Sequence, residues 1–384
     1  LAGKKALLGE HHMHQSSSVV SENDHTQDAK YNQAKSWHPQ NARAFYRLDS
    51  VGDAVRCLAS ATKEQAKLHE PQLLKISSLL SSADLQPKTL GKCFLALSIY
   101  NLKDPGVVSL IQTLKEKMKV HYKRGDYYEN ALLRNVCRGL ENKSCRSLDV
   151  KDVLSLLVPQ MYASNEPWRQ IDVSLMFPGL NRMRSHTKEV RDMLKAMTFV
   201  INGLSESFDG RSINNIMYCF RGMDSSHKEV RGFLAALSER YPPPEEPLSV
   251  KNISGLVNVS CEDDEVRKFL TLLKDHLKSS TEEYGVAEVM TALSGLRSMS
   301  SDEKEVRDLV AVLSEKLGQC EASKHSPKLY RGMYGLKCMN SDSEEVRGLL
   351  GLIKDHMEQC DETFDNETIT SMILGMQNMT SDYK

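Results

Sequence analysis

Aromatic residues make up only 6% of this 384-residue chain, which argues against the aromatic-rich core of a β-sandwich. Its nine cysteines are odd in number, scattered and free of any CxxC, so the spacing offers neither a zinc ribbon nor a dithiol redox motif. Reduced thiols filling an intracellular core are expected instead. Charge of one sign is also missing: 50 Lys+Arg face 51 Asp+Glu, for a net charge of −1. That excludes a uniformly basic nucleic-acid protein but leaves room for a local basic face. No apolar run approaches a membrane span, so no membrane partner is expected. GxxxxGK, HExxH and GxSxG are all absent, so the chain is not expected to be an enzyme, to carry a cofactor or metal, or to take a small-molecule substrate.

What is present is repetition. MSSDEKEVRDLVAVLSEKL begins at Met299, and MNSDSEEVRGLLGLIKDHM begins forty positions later at Met339. The Glu of EVR serves as a ruler: it recurs at Glu189, Glu229, Glu265, Glu305 and Glu345, with spacings of 40, 36, 40 and 40. Asp149 occupies the same slot one period earlier. After each ruler residue the apolar positions follow one helical face, as in Val306, Leu309, Val310, Leu313 and Leu317. This second helix of the unit is called B. Asp302 and Asp342, three before the ruler, predict its N-cap, with the acidic ruler residue completing a capping box.

A first helix, A, lies upstream, with an apolar stripe at positions −16, −12 and −9 from the ruler. Position −10 is Gly139, Gly179, Gly255, Gly295, Gly335 and Gly375, with Cys219 the exception. Glycine inside a helix costs about 1 kcal/mol against alanine, so its return implies close approach of a neighbouring backbone. Units of about 40 residues that cannot bury their faces alone must stack. The expected fold is all-α, a right-handed type of α-solenoid built from stacked antiparallel helix pairs. Residues 1–45 read as a polar extension, disordered alone. Residues 46–126 read as degenerate N-terminal repeats forming a cap, and 127–384 as the array, stopping within its last repeat. The short 36-residue spacing coincides with YPPPEEP at Tyr241–Pro247.

The helix pairs of about 40 residues with a Leu-rich first helix resemble the octotricopeptide and heptatricopeptide repeat families. The resemblance covers residues 86–384. Octotricopeptide repeats often place a PPPEW-like turn between their helices, whereas this chain has SDSEEVR there, and its PPPEE at Pro242–Glu246 falls between units. The resemblance implies RNA binding in a mitochondrion or plastid, in transcript processing, stability, translation or ribosome association. The alternative is a protein-binding or structural solenoid within a large assembly.

Helical geometry places the face opposite the A stripe at −14, −11 and −7. These slots hold polar or stacking side chains suited to single-stranded or structured RNA: Asn135, Arg138, Asn142, Arg182, Asn215, Tyr218, Lys251, Asn258, Thr291, Arg331, Tyr334 and Asn378. A ladder of Arg191, Arg231, Arg267, Arg307 and Arg347 stands two after each ruler. A cation in the first turn of a helix opposes the dipole and needs a partner, either an RNA phosphate or an acid on the next unit.

Overall fold

The structure, a computed structural model, describes residues 48–64, 67–243, 246, 248–321, 328–361 and 363–380, which lie within one compact unit. The polar extension expected at 1–45 lies outside the described residues. Among those residues every regular element is a helix and there is no strand. The B helices of the array are Leu148–Ala163, Lys188–Asn202, Lys228–Glu239, Asp264–Ser279, Lys304–Gly318 and Glu344–Glu358. The A helices are shorter: Asn130–Gly139, Gln170–Met176, Gly210–Cys219, Val286–Leu293, Leu329–Gly335 and Asn366–Gly375. Several tighten into a last 3-10 turn, and the A element of the short unit, Val250–Leu256, is 3-10 throughout. Before the array come Val51–Glu64, Glu70–Ser81, Pro87–Ala96 and Pro105–Arg124.

The helices pack chiefly on their counterparts one unit away, B on B and A on A. Lys304–Gly318 touches Asp264–Ser279, Glu344–Glu358 and Val286–Leu293, while Leu329–Gly335 touches Val286–Leu293 and Asn366–Gly375. The B stripe explains this pattern. Val306, Leu309, Val310, Leu313 and Leu317 are all fully buried, as are Val190, Met193, Leu194, Met197 and Ile201. Each such side chain contributes about 1.5–3 kcal/mol on leaving water.

Four recurring slots join one unit to the next, and the first is the glycine. A Cβ at Gly139, Gly179, Gly255, Gly295, Gly335 or Gly375 would overlap the carbonyl oxygen of Phe94, Cys137, Met217, Ile253, Leu293 or Met333. Each of those carbonyls belongs to position −12 of the preceding A element. Where Cys219 replaces the glycine, the near-contact moves to Gly222, which lies against the Met183 carbonyl.

The second slot is a buried hydroxyl or thiol at −4. Ser185, Ser225, Ser301 and Ser341 accept the backbone N–H of Asp224, Ser260, Asn340 and Thr380 at 2.9, 2.8, 3.0 and 2.9 Å. Cys261 takes the same part toward the Ser300 N–H at 3.4 Å. The serine just before the aspartate of MSSD and MNSD therefore recurs because it satisfies an amide of the following unit. Sequence periodicity alone did not reveal that role.

The third slot, near the end of helix B, carries a buried polar group that reaches a backbone oxygen in the preceding turn or unit. Lys316 Nζ donates to the Ser280 carbonyl at 2.8 Å, and His356 Nε2 lies 3.3 Å from the Leu317 carbonyl. His276 meets the Glu246 carbonyl in the same way. The fourth slot is the arginine ladder, described below.

Two expectations need correction. The N-caps fall one residue later than Asp302 and Asp342, on Glu303 and Ser343, and Ser343 Oγ accepts from the Val346 N–H. The A helices also end at or near the glycine instead of running on to −7. The reason is the glycine contact: with the preceding backbone so close, the chain tightens and turns away.

Gly295→Ala forces the Ile253 backbone to move, and is expected to lower stability by about 1–3 kcal/mol. Gly232 lies in a B helix with open space around its Cα, so Gly232→Ala is expected to raise stability by about 0.4–1 kcal/mol. Urea midpoints of the two variants should therefore move in opposite directions.

Candidate nucleic-acid interface

The open side of the A elements is set by their first turns and by residues at −11 and −8, which lie three apart and share a face. Tyr218 is 55% exposed, and the Arg221 guanidinium sits 5.6 Å from its ring centroid. The same arrangement returns three units later, with Lys337 Nζ 5.9 Å from the centroid of Tyr334. Arg331 lies 5.9 Å from the Tyr330 ring, and its Nε donates to the Tyr330 hydroxyl at 3.1 Å. The ring's negative face attracts the cation in each pair, but only Tyr218 and Arg221 are exposed, while Tyr334, Lys337, Tyr330 and Arg331 are half-buried. The position −8 residues Arg221 and Lys337 were missed from sequence, although the (i, i+3) spacing from −11 points to them. Arg297, in the same slot, is taken up by the framework through the Val257 carbonyl at 3.1 Å and the Asn258 side chain at 2.9 Å.

The other expected residues divide by environment. Arg138 and Arg182 are exposed, while Asn135 and Asn215 are half-buried on the A helices. Lys251 is paired with Glu288 of the next unit at 2.6 Å. Thr291 is a correction: it is buried and returns its hydroxyl to the Ala287 carbonyl at 2.7 Å, so it is not on the open face.

Position −7 is a second correction. Asn258 donates from its side-chain amide to the Arg221 carbonyl and accepts from Arg297 at 2.9 Å. Asn378 donates to the Lys337 carbonyl at 3.0 Å, and Ser298 to the Val257 carbonyl at 2.9 Å. These side chains bridge consecutive units. Extrapolating 100° per residue fails here because −7 lies beyond the helix end. Asn142 and Arg182 even take left-handed backbone, at φ 61° and 66°. Asparagine tolerates this conformation well, whereas an arginine there is strained.

The arginine ladder closes the A–B turn. One guanidinium nitrogen donates to two consecutive carbonyls: Ser185 and His186 for Arg191, both at 2.8 Å, and Ser301 and Asp302 for Arg307, both at 2.7 Å. Arg231, Arg267 and Arg347 repeat the pattern on Ser225–Ser226, Cys261–Glu262 and Ser341–Asp342. The guanidinium also meets an acid of the next unit: the Nε of Arg191 lies 4.0 Å from Glu229 and that of Arg231 3.3 Å from Asp263, while the carbonyl-bound nitrogen of Arg267 lies 3.6 Å from Glu303. The carbonyl pair answers the dipole problem, since it supplies negative charge where the helix start supplies positive.

Among the described residues no cluster of His, Cys, Asp and Glu could hold a metal ion, and no helix is long and apolar enough to cross a membrane.

Arg307→Ala is expected to loosen the turn before Lys304–Gly318 and lower the urea midpoint, with Arg307→Lys intermediate because an ammonium lacks the planar fork. An unchanged midpoint in both variants would remove the clamp from the account. Compared with protein-family models and with curated proteins, the chain matches none of them.

Proposed function

We propose that the chain is an RNA-binding α-solenoid of organellar gene expression, which lays single-stranded RNA along the open side of its A elements. The stacked pairs continue one another in a right-handed sense, so a strand can pass from unit to unit. The observation that carries this reading is the exposed Tyr218 ring under Arg221, with its counterpart Tyr334 under Lys337. A tyrosine face stacks any base, and the adjoining cation supplies a phosphate contact. In this reading the protein supports processing, stability, translation or ribosome association of a mitochondrial or plastid transcript, and performs no chemistry of its own.

The second reading is a protein-binding scaffold, and it too has a specific observation. Tyr162 and Phe199 on neighbouring B helices are 41% and 55% exposed, with ring centroids 5.0 Å apart. Other units put Glu239, Asp275, Glu315 or Asp355 where Phe199 stands.

The test is retention of a randomised single-stranded RNA pool by the full chain at two salt concentrations. Binding that weakens with salt is expected, and Tyr218→Ala or Tyr334→Ala should weaken it about 5–150-fold, the value of one or a few kcal/mol of stacking. If no RNA is retained at low salt, the scaffold reading takes its place.

A further inference from the structure

Lys143 has no exposed surface. It stands six before the ruler, where other units place Met183, Met223, Val259, Met299 and Met339, all of them buried. Its Nζ donates to the carbonyls of Leu97 at 2.6 Å, Tyr100 at 2.8 Å and Glu141 at 3.0 Å. Leu97 and Tyr100 end the A element of the preceding pair, Pro87–Arg124. The amine therefore crosses the joint between that pair and the pair Asn130–Ala163. Among the described residues no ion pair reaches it.

We propose that Lys143 makes this joint proton-dependent, so that the two pairs part more readily while the buried amine is charged. Three N–H groups meeting three carbonyls describe an ammonium, whose hydrogen bonds are complete. The joint nevertheless strips that charge of water without giving it a counter-ion, and a buried charge of this kind is costly. Burial pulls the amine down from 10.5 to about 7, opposed by the Glu141 carboxylate.

The titratable neighbours on the packed elements do not share this window. Burial pushes Tyr100 up to about 12, and its hydroxyl is turned to the Leu68 N–H at 3.0 Å. Cys93 and Cys137 are likewise pushed up to about 12. Burial raises the Glu141 carboxyl, which Arg138 and Lys143 partly restrain. Asp104 acts on Tyr100, and Cys145, on the same turn as Lys143, accepts from Thr187 at 3.3 Å.

The sign follows from proton linkage. Once the joint opens, water restores the amine to the ordinary lysine range, so the open form binds a proton more tightly than the closed one. Between pH of about 7 and 10.5, rising pH therefore favours closure, and below about 7 the preference is level.

Urea unfolding of the full chain between pH 6 and 10 tests this, comparing wild type with Lys143→Met and Lys143→Gln. Ionisations common to all three cancel in the ratio of unfolding constants. The ratio of wild type to either variant should fall about tenfold per pH unit above pH 7 and be level below it. A ratio that stays level from pH 6 to 10 overturns the proposal. Should neither variant fold, NMR of lysine-labelled wild type decides. One side chain titrating near 7 supports the proton-dependent joint, and all lysines titrating above 10 exclude it.

Discussion

In every unit but that of Cys219, consecutive A elements approach so closely that no Cβ fits at −10, and much of the rest of the unit follows from that contact. The glycine at −10 must meet the −12 carbonyl of the preceding unit, as Gly295 meets Ile253 and Gly335 meets Leu293. That places the next turn where a serine at −4 can accept the neighbouring amide. It also ends helix A early, and in the turn that follows an arginine from helix B meets the Ser301 and Asp302 carbonyls. Hydrophobic burial supplies the larger energy, but it is indifferent to a small sliding of one helix past another. The glycine contact and the polar slots around it fix the register.

The phrase SDxxEVR is thus a set of joints. Its serine faces forward to the next unit. Its arginine faces back to its own turn and, for Arg191, Arg231 and Arg267, also forward to an acid. Polar groups that could serve a ligand are largely absorbed by this framework. What remains open at −11 and −8 is a narrower face than the sequence suggests, with tyrosines and cations as its distinctive content.

Much of this was legible from sequence. The helix pairs, the B stripe and the meaning of the glycines all follow from period and propensity, because an apolar residue every three or four positions has few other uses. The roles of Ser301, Asn258 and Lys143 were not legible. Each depends on a partner about forty residues away whose backbone atom, not side chain, makes the contact, and backbone atoms leave no trace in composition. Thr291 misled for a related reason: a threonine can hide its hydroxyl on its own helix. Arg221 and Lys337 were overlooked because attention to −7 assumed a helix that had already ended.

The serine joint has a consequence for how such a gene can change. Each regular unit presents to its successor the acceptor that it takes from its predecessor, so front and back surfaces are interchangeable. Duplication or loss of a whole forty-residue segment, joined at any equivalent codon, would recreate the same amide-to-serine bond and the same glycine contact at the new boundary. Loss of a few residues would break both. The gene is therefore expected to drift in length by whole units, with the boundary at Lys143 resisting exchange because no other unit offers its partner the same amine.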